Sequence, residues 1–304
     1  MSLPSQPSGR RSSTARNATP MTVPTFQSMK ERGAPIVAVT AYDYPTAAIV
    51  DAAGVDMVLV GDTLASVVLG YETTLPVSLE EMMVCTRAVR RGLRRALLVA
   101  DLPFGYCHQD SGESALEAAI QYMKAGAQAV KIEGDRSRSP VVRQMVDAGI
   151  PVMGHIGLRP QSVHTMGGYR VQGKTSESAD ELLEEARALE RAGLFALVLE
   201  GIPAEVSATI TRSLSIPTIG IGAGNDCDGQ ILVISDMLGL TVPPPPNGPE
   251  TLVGRTPRFV REYLNLRSLM LDAVRSYTSD VRSRQFPDDS ETYRLSEAES
   301  VRMT

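Results

Sequence analysis

From Pro35 onward, short β-branched or aliphatic runs alternate with longer segments of helical periodicity, and this alternation restricts the fold more than any other feature. The runs are Ile36–Thr40, Met57–Gly61, Leu97–Asp101, Ala129–Glu133, Val152–His155, Ala196–Glu200, Thr218–Gly222 and Gln230–Ile234. Helical patterns such as Leu79–Arg91, Glu113–Lys124, Ala179–Ala192 and Ala204–Leu214 lie between them. Repeated strand–helix units predict an α/β protein with a parallel sheet. Only the interval Ala223–Gly229 is too short to hold a helix.

Polar residues then separate two topologies. Asp62 follows the second run, while Asp101, Glu133, His155 and Glu200 end the third to sixth. A (β/α)8 TIM barrel assembles its site from the C-terminal ends of many strands, whereas a doubly wound open sheet gathers ligands at a switch point. The spread over successive strands therefore predicts the closed barrel.

The 304 residues suffice for one such barrel, and 43% hydrophobic content supplies its core. With 5% aromatics and no Trp, that core must be aliphatic. A net charge of -5 argues against a nucleic-acid binder with a basic surface. Three cysteines, Cys85, Cys107 and Cys227, show neither a disulfide framework nor CxxC spacing. With no apolar run of membrane length and no secretory core, the expectation is a cytoplasmic protein with no membrane partner.

The expected organisation is a disordered Ser/Arg-rich tail over 1–24, one barrel over 25–280, and a polar tail over 281–304. The acid-poor start also has the composition of a transit peptide, but its prolines oppose the amphipathic helix that a mitochondrial address needs. Within the barrel region a proline-rich insertion spans 242–257, and a terminal helix is expected over Arg258–Thr278, packed on the barrel or on a neighbour.

Asp62, Asp101 and Glu133 end successive strands, which in a barrel lie about 5 Å apart. Their all-oxygen set suits Mg2+ or Mn2+, although each could instead cap a helix or pair with an arginine. Lys131 and Glu133 are two apart on one strand and so share its inner face. Lys131 is then either half of an internal ion pair or a cation for a substrate carboxylate or enolate. Glu200 closes an apolar strand, where desolvation raises a carboxylate toward the pKa of a working base; a cap or salt bridge is the other reading. A strand-end His such as His155 is more often a satisfied core residue, but the Gly-rich stretch that follows it reads as a functional loop. Gly220–Gly224 lacks the GxGxxG spacing of a dinucleotide site.

In chain order, the segments TAYDYPTA, GDTL leading to TTLPV, ADLPF, GAQAVKIEG, MGHIGLRPQSVHTMGGYRVQGKT, LVLEGIP and IPTIGIGAGNDCDGQILV with DMLGL together resemble the ketopantoate hydroxymethyltransferase family from Thr25 to about Leu240. The resemblance implies a barrel of the phosphoenolpyruvate mutase/isocitrate lyase-like group, usually a homodecamer. It implies transfer of a hydroxymethyl group from 5,10-methylenetetrahydrofolate to 3-methyl-2-oxobutanoate in pantothenate synthesis, with Mg2+ as cofactor. By the same resemblance Asp62 and Asp101 ligate the metal directly and Glu133 through water. Asp62, Thr63, Asp101 and Lys131 contact the oxo acid, Tyr42 and His155 line its pocket, and Glu200 takes the proton. Departures cluster in one region: GDTLAS and Leu69-Gly70 stand where the family has GDSLGM and Gln-Gly, and Val84-Cys85 replaces Tyr-His. A related oxo-acid carbon–carbon lyase or a catalytically silent binding barrel are the rival readings. The related lyases carry a KKCGH-like catalytic loop, which this sequence lacks.

Overall fold

The computed structural model describes residues 19–107, 113–241, 257–296, 300 and 302. Eight parallel strands close into a barrel in sequence order. They are β1 (Ile36–Thr40), β2 (Met57–Val60), β3 (Leu97–Asp101), β4 (Ala129–Glu133), β5 (Val152–Gly157), β6 (Ala196–Glu200), β7 (Thr218–Ile221) and β8 (Gly229–Leu232). β8 pairs back onto β1 through Ile36↔Gly229 to Val39↔Leu232, which removes every free sheet edge. Between β7 and β8 there is only a loop, in keeping with the short Ala223–Gly229 interval.

The helices are α1 (Val23–Glu31), α2 (Tyr44–Ala52), α3 (Leu64–Val67), α4 (Leu79–Gly92), α5 (Glu113–Lys124), α6 (Ser139–Asp147), α7 (Ser176–Ala192), α8 (Ala204–Ser213), α9 (Ile234–Met237) and α10 (Leu266–Arg282). Local chemistry fixes their starts. Ser78 and Glu81 form a reciprocal capping box on α4, and Asp43 caps α2 through Thr46 N. α7 begins at Ser176, three residues before the periodic pattern, because Thr175 and Ser178 cap each other.

Strand alternation sorts the barrel interior by height. The inner positions near the strand starts are apolar, including Ile36, Met57, Leu97, Ala129, Met153, Ala196 and Ile219, and they form one buried cluster. Two to four residues further along, the same faces carry Thr40, Asp101, Lys131, Glu133, His155 and Glu200, which line a cavity at the strands' C-terminal ends. The lower end is closed by α1, whose Phe26 is fully buried and meets Phe195 edge-on at 6.1 Å.

Several boundaries differ from the sequence expectation. The tail expected over 1–24 ends earlier: Met21 is buried, its N–H donates to Arg95 O at 2.8 Å, and α1 starts at Val23. Residues 1–18 and most of the proline-rich insertion, 242–256, lie outside the described residues. The chain also divides into two compact units, residues 1–236 with 241–260 and residues 237–240 with 261–304, where a single barrel unit over 25–280 was expected. Within the second unit α10 begins at Leu266, not Arg258, because Asn265 caps it by accepting from Ser268 N. Phe259, Tyr263 and Leu264 therefore precede the helix. Within this unit no residue of α10 is buried, and Leu269, Met270, Leu271, Val274 and Tyr277 are all exposed.

The Phe26 plug yields a direct stability prediction. Phe26→Ala should cost about 3–5 kcal/mol, the usual penalty for emptying a fully buried aromatic site, read as a fall in the chemical-denaturation midpoint. A loss below about 1 kcal/mol would mean that α1 does not close the barrel floor.

Candidate functional site

Parallel register brings the strand-end side chains together. Asp101 on β3 is paired with Lys131 on β4, Glu133 with His155 on β5, and Gly157 with Glu200 on β6. Neighbouring residues in a parallel ladder project to the same face, so the order Asp101, Lys131/Glu133, His155, Glu200 runs around the barrel mouth. Asp62 and Thr63 join from the turn after β2. Asp62, Asp101, Lys131, Glu133 and His155 are all buried.

Lys131 Nζ contacts Asp101 Oδ2 at 2.8 Å and lies 3.4 Å from His155 Nδ1. An ammonium only donates, so Nδ1 must accept, and the neutral ring carries its proton on Nε2. That nitrogen is 3.1 Å from Glu200 Oε2 but off the hydrogen-bond direction, which leaves it without a partner in this arrangement. Burial and the neighbouring Lys131 hold His155 well below the usual imidazole range.

One ammonium stands among Asp62, Asp101 and Glu133, so the cluster is short of positive charge. Burial works against the charge on Lys131, but Asp101, Asp62 and Glu133 outweigh it and hold the lysine protonated above its ordinary value. Burial pushes Asp101 up, with Lys131 opposing and Asp62 adding to the rise. Glu133 is driven well above the carboxylate range by burial and then by Asp62. Asp101 Oδ1 is buried with no hydrogen-bond partner. An orphaned carboxylate oxygen beside unneutralised acids is the arrangement a hard cation completes. Among the described residues no group of three or more His, Cys, Asp or Glu side chains stands in the arrangement of a formed metal site. What suits a hard divalent cation here is the all-oxygen chemistry of the donors and the unpartnered Asp101 Oδ1, for an ion that takes one or two carboxylates and fills its remaining positions with water and substrate.

Glu200 stands apart from this set. Its carboxyl is raised to about 7, chiefly by burial, with Lys131 pulling it down. Gly157 makes its placement possible: with φ +93, a Cβ there would lie 2.3 Å from Glu200 O, the space through which Leu158 N–H donates to that carbonyl. Thr63 Oγ1 is 2.8 Å from Tyr42 Oη, and Tyr42 is buried without lining the cavity, so it reaches the site through the hydroxyls of Thr63 and Thr40. The apolar part of the lining comes from Leu59, Val198, Ile221 and Ile231.

One residue bonded to the site's acids was not singled out from the sequence. Gln161, buried in the loop after β5, donates to Asp62 and through its main chain to Glu133. Only its position just past a strand end, in a polar Gly/Pro-rich loop, could have drawn attention to it. Tyr169 follows Gly167 and Gly168, both at positive φ, and its hydroxyl is raised to about 12 by burial and then by Asp62, Glu133 and Glu200.

Comparison with known proteins agrees with this architecture. Phosphonopyruvate hydrolase, solved with oxalate and Mg2+, superposes with a TM-score of 0.56 at 14% identity, covering 93% of this chain and 95% of that one. A 2,3-dimethylmalate lyase of the PEP mutase/isocitrate lyase superfamily gives 0.52 at 17% identity, covering 92% and 93%. At these identities the likeness is one of fold. The sequence relatives are much nearer. The 3-methyl-2-oxobutanoate hydroxymethyltransferase of Koribacter versatilis (strain Ellin345) is 50% identical over 275 residues, 90% of each chain. That of Salinibacter ruber (strain DSM 13855 / M31) is 52% identical over 274 residues, 90% of this chain and 99% of its own. The ketopantoate hydroxymethyltransferase profile matches residues 20–289, nearly the whole length described, and the chain belongs to the ketopantoate hydroxymethyltransferase family.

Proposed function

We propose that this enzyme transfers a hydroxymethyl group from 5,10-methylenetetrahydrofolate to 3-methyl-2-oxobutanoate, with water supplying the hydroxyl oxygen, to give ketopantoate and tetrahydrofolate in pantothenate biosynthesis. The observation that carries the reading is the mixed lining of one cavity. Acids that can hold a cation, together with Lys131, suit an anionic, oxygen-rich group, while Leu59, Val198, Ile221 and Ile231 suit a branched alkyl group. A short branched 2-oxo acid has both parts.

In this reading Asp62 and Asp101 hold Mg2+, with Glu133 reaching it through water. Bound there, the cation would act as a Lewis acid that polarises the keto group and acidifies the adjacent C3–H. Lys131 and Thr63 bind the oxo acid, Tyr42 steadies Thr63, and His155 borders the pocket beside Glu200. Glu200 removes the C3 proton, its raised pKa matching it to that task near neutrality. The carbanion formed at C3 attacks the methylene carbon of the folate as one of its two C–N bonds opens, and cleavage of the other with addition of water leaves the hydroxymethyl group on C3 and releases tetrahydrofolate, the protons going to the folate nitrogens. Cytoplasmic location and a homo-oligomer, a decamer by family resemblance, complete the proposal. The exposed apolar side chains of α10 support an assembly, and no helix among the described residues is long and apolar enough to cross a membrane.

The first step can be isolated by withholding folate and following solvent deuterium into C3 of 3-methyl-2-oxobutanoate by proton NMR. Glu200→Gln should slow exchange by about 10²–10⁴-fold, the usual contribution of a general base, and excess chelator should abolish it. Exchange at the wild-type rate in Glu200→Gln would remove Glu200 from the chemistry. Asp101→Asn should raise the Mg2+ concentration needed for half-maximal exchange, and an unchanged requirement would remove Asp101 from the metal site. The rate should rise with pH along a limb centred at or below about 7, because the base must be ionised and a bound cation lowers its pKa further.

Glu200 also makes a testable contribution to stability. A carboxyl raised from 4.5 to about 7 in the folded chain resists an ionisation that the unfolded chain accepts, so its cost appears as pH climbs through that window. With the side chain only 18% exposed, metal-free Glu200→Gln should be more stable than the natural chain at about pH 8 by roughly 2–3 kcal/mol. The difference should vanish below about pH 4.5. Equal denaturation midpoints throughout would show that Glu200 is not desolvated.

A further inference from the structure

The loop after β5 makes a set of contacts that the proposed chemistry leaves unused. Gln161 lies in the 3-10 turn Pro160–Ser162 and is 4% exposed. Its side-chain Nε2 is 2.9 Å from Asp62 Oδ2 and 2.9 Å from Leu102 O, and its main-chain N–H donates to Glu133 Oε1 at 2.9 Å. One residue thus reaches the turn after β2, the end of β3 and the end of β4. Both side-chain neighbours are acceptors, so the amide nitrogen must face them, and each of its two hydrogens has a partner. The amide plane is fixed by this pair of bonds.

From this geometry we infer that Gln161 is a positioning residue, holding Asp62 and Glu133 in the orientation in which they receive the metal. The inference rests on the assignment of Asp62, Asp101 and Glu133 as the metal carboxylates. A neutral donor is suited to the role. It occupies one oxygen of Asp62 and fixes the carboxylate plane without cancelling its charge, as an Arg or Lys in the same place would. The structure contains both arrangements. Asp101 is bonded to the cation Lys131 through Oδ2, whereas Asp62 is bonded to an amide. Asp62 therefore keeps more of its charge for the metal.

The loop is itself held firmly enough to act this way. Leu158 N–H donates to Glu200 O at 2.8 Å, Ser162 N–H to Arg159 O at 2.9 Å, and Arg159 pairs with Asp135 at 2.9 Å. The opposing view is that Gln161 only satisfies the Leu102 carbonyl and packs the loop. That role would affect folding but not metal affinity.

The test is Mn2+ binding to the full chain without oxo acid or folate, followed by electron paramagnetic resonance, with thermal melting of metal-free protein in parallel. Natural chain and Asp101→Asn come first. If the natural chain binds no Mn2+, or Asp101→Asn binds it equally well, the metal-site assignment fails and this inference falls with it. If that assignment stands, Gln161→Met, which keeps the length but not the donors, should weaken Mn2+ binding on the order of 10–100-fold, the usual effect of removing an outer partner of a metal ligand. Saturating Mn2+ should then restore C3 exchange toward the natural rate. On an Asp62→Asn background Gln161→Met should add little further loss through Asp62, since the carboxylate it orients is gone. If Gln161→Met does not fold, Gln161→Asn takes its place, because an amide one methylene shorter cannot span Asp62 and Leu102 together. Natural Mn2+ affinity in either folded variant, or fully additive losses with Asp62→Asn, would overturn the assignment.

Discussion

The contact between Lys131 and Asp101 at the barrel mouth is the interaction on which the rest of the site depends. Taking an ammonium and three carboxylates out of water is expensive, and one ion pair compensates only part of that cost. The remainder appears as acids held above their ordinary range and as a carboxylate oxygen with no partner. A cluster in this condition favours a ligand carrying positive charge over its own empty state. The barrel tolerates it because the apolar layers below, from Met57 and Leu97 to Ile219, make the scaffold stable independently of the mouth.

The same desolvation gives Glu200 a different character. It lines the same cavity as Asp101, and burial is the larger influence on its titration, with Lys131 opposing. Asp62, Asp101 and Glu133 are suited to hold a cation, and Glu200 to exchange a proton near neutral pH. Both behaviours come from carboxylates at strand ends, and burial raises Asp101 and Glu200 alike to about 7; what separates them is partnership, Asp101 being paired with Lys131 at 2.8 Å while Glu200 faces His155.

Much of this was legible in the sequence, and for a definite reason. Strand periodicity is local, so Lys131 and Glu133 could be placed on one inner face and Ile132 on the other from their spacing alone, and the register bears this out. Strand-end acids were equally visible because the barrel converts chain order into position around a ring. Gln161 was not, since its partners lie 99 and 59 residues away and nothing in a loop's composition fixes where an amide points. The terminal helix was misplaced at its start because Phe259, Tyr263 and Leu264 mimic helical spacing, while the Asn265 cap that sets the boundary is a single residue. Its exposed apolar face could not be read from periodicity either, because an amphipathic pattern states that a face prefers burial, not what covers it.

The positions that depart from the family pattern bear on which half of the reaction this chain could have altered. Ala65, where the family carries Gly, sits fully buried within the short helix α3, a conformation that needs no left-handed backbone, so the added methyl is compatible with the fold. Thr63 keeps a hydroxyl and spends it on Tyr42. Leu69 and Val84 are exposed, and Cys85 is half-buried on α4 with its thiol raised by burial and by Asp43. None of these side chains lines the cavity with Asp101, Lys131, Glu133 and Glu200, apart from Thr63. Apart from Thr63, these departures therefore lie outside the cavity, and none falls on the acids proposed to act on the oxo acid. A difference in catalysis between this chain and its relatives would then arise away from Asp101, Lys131, Glu133 and Glu200, because the altered side chains other than Thr63 do not reach that cavity.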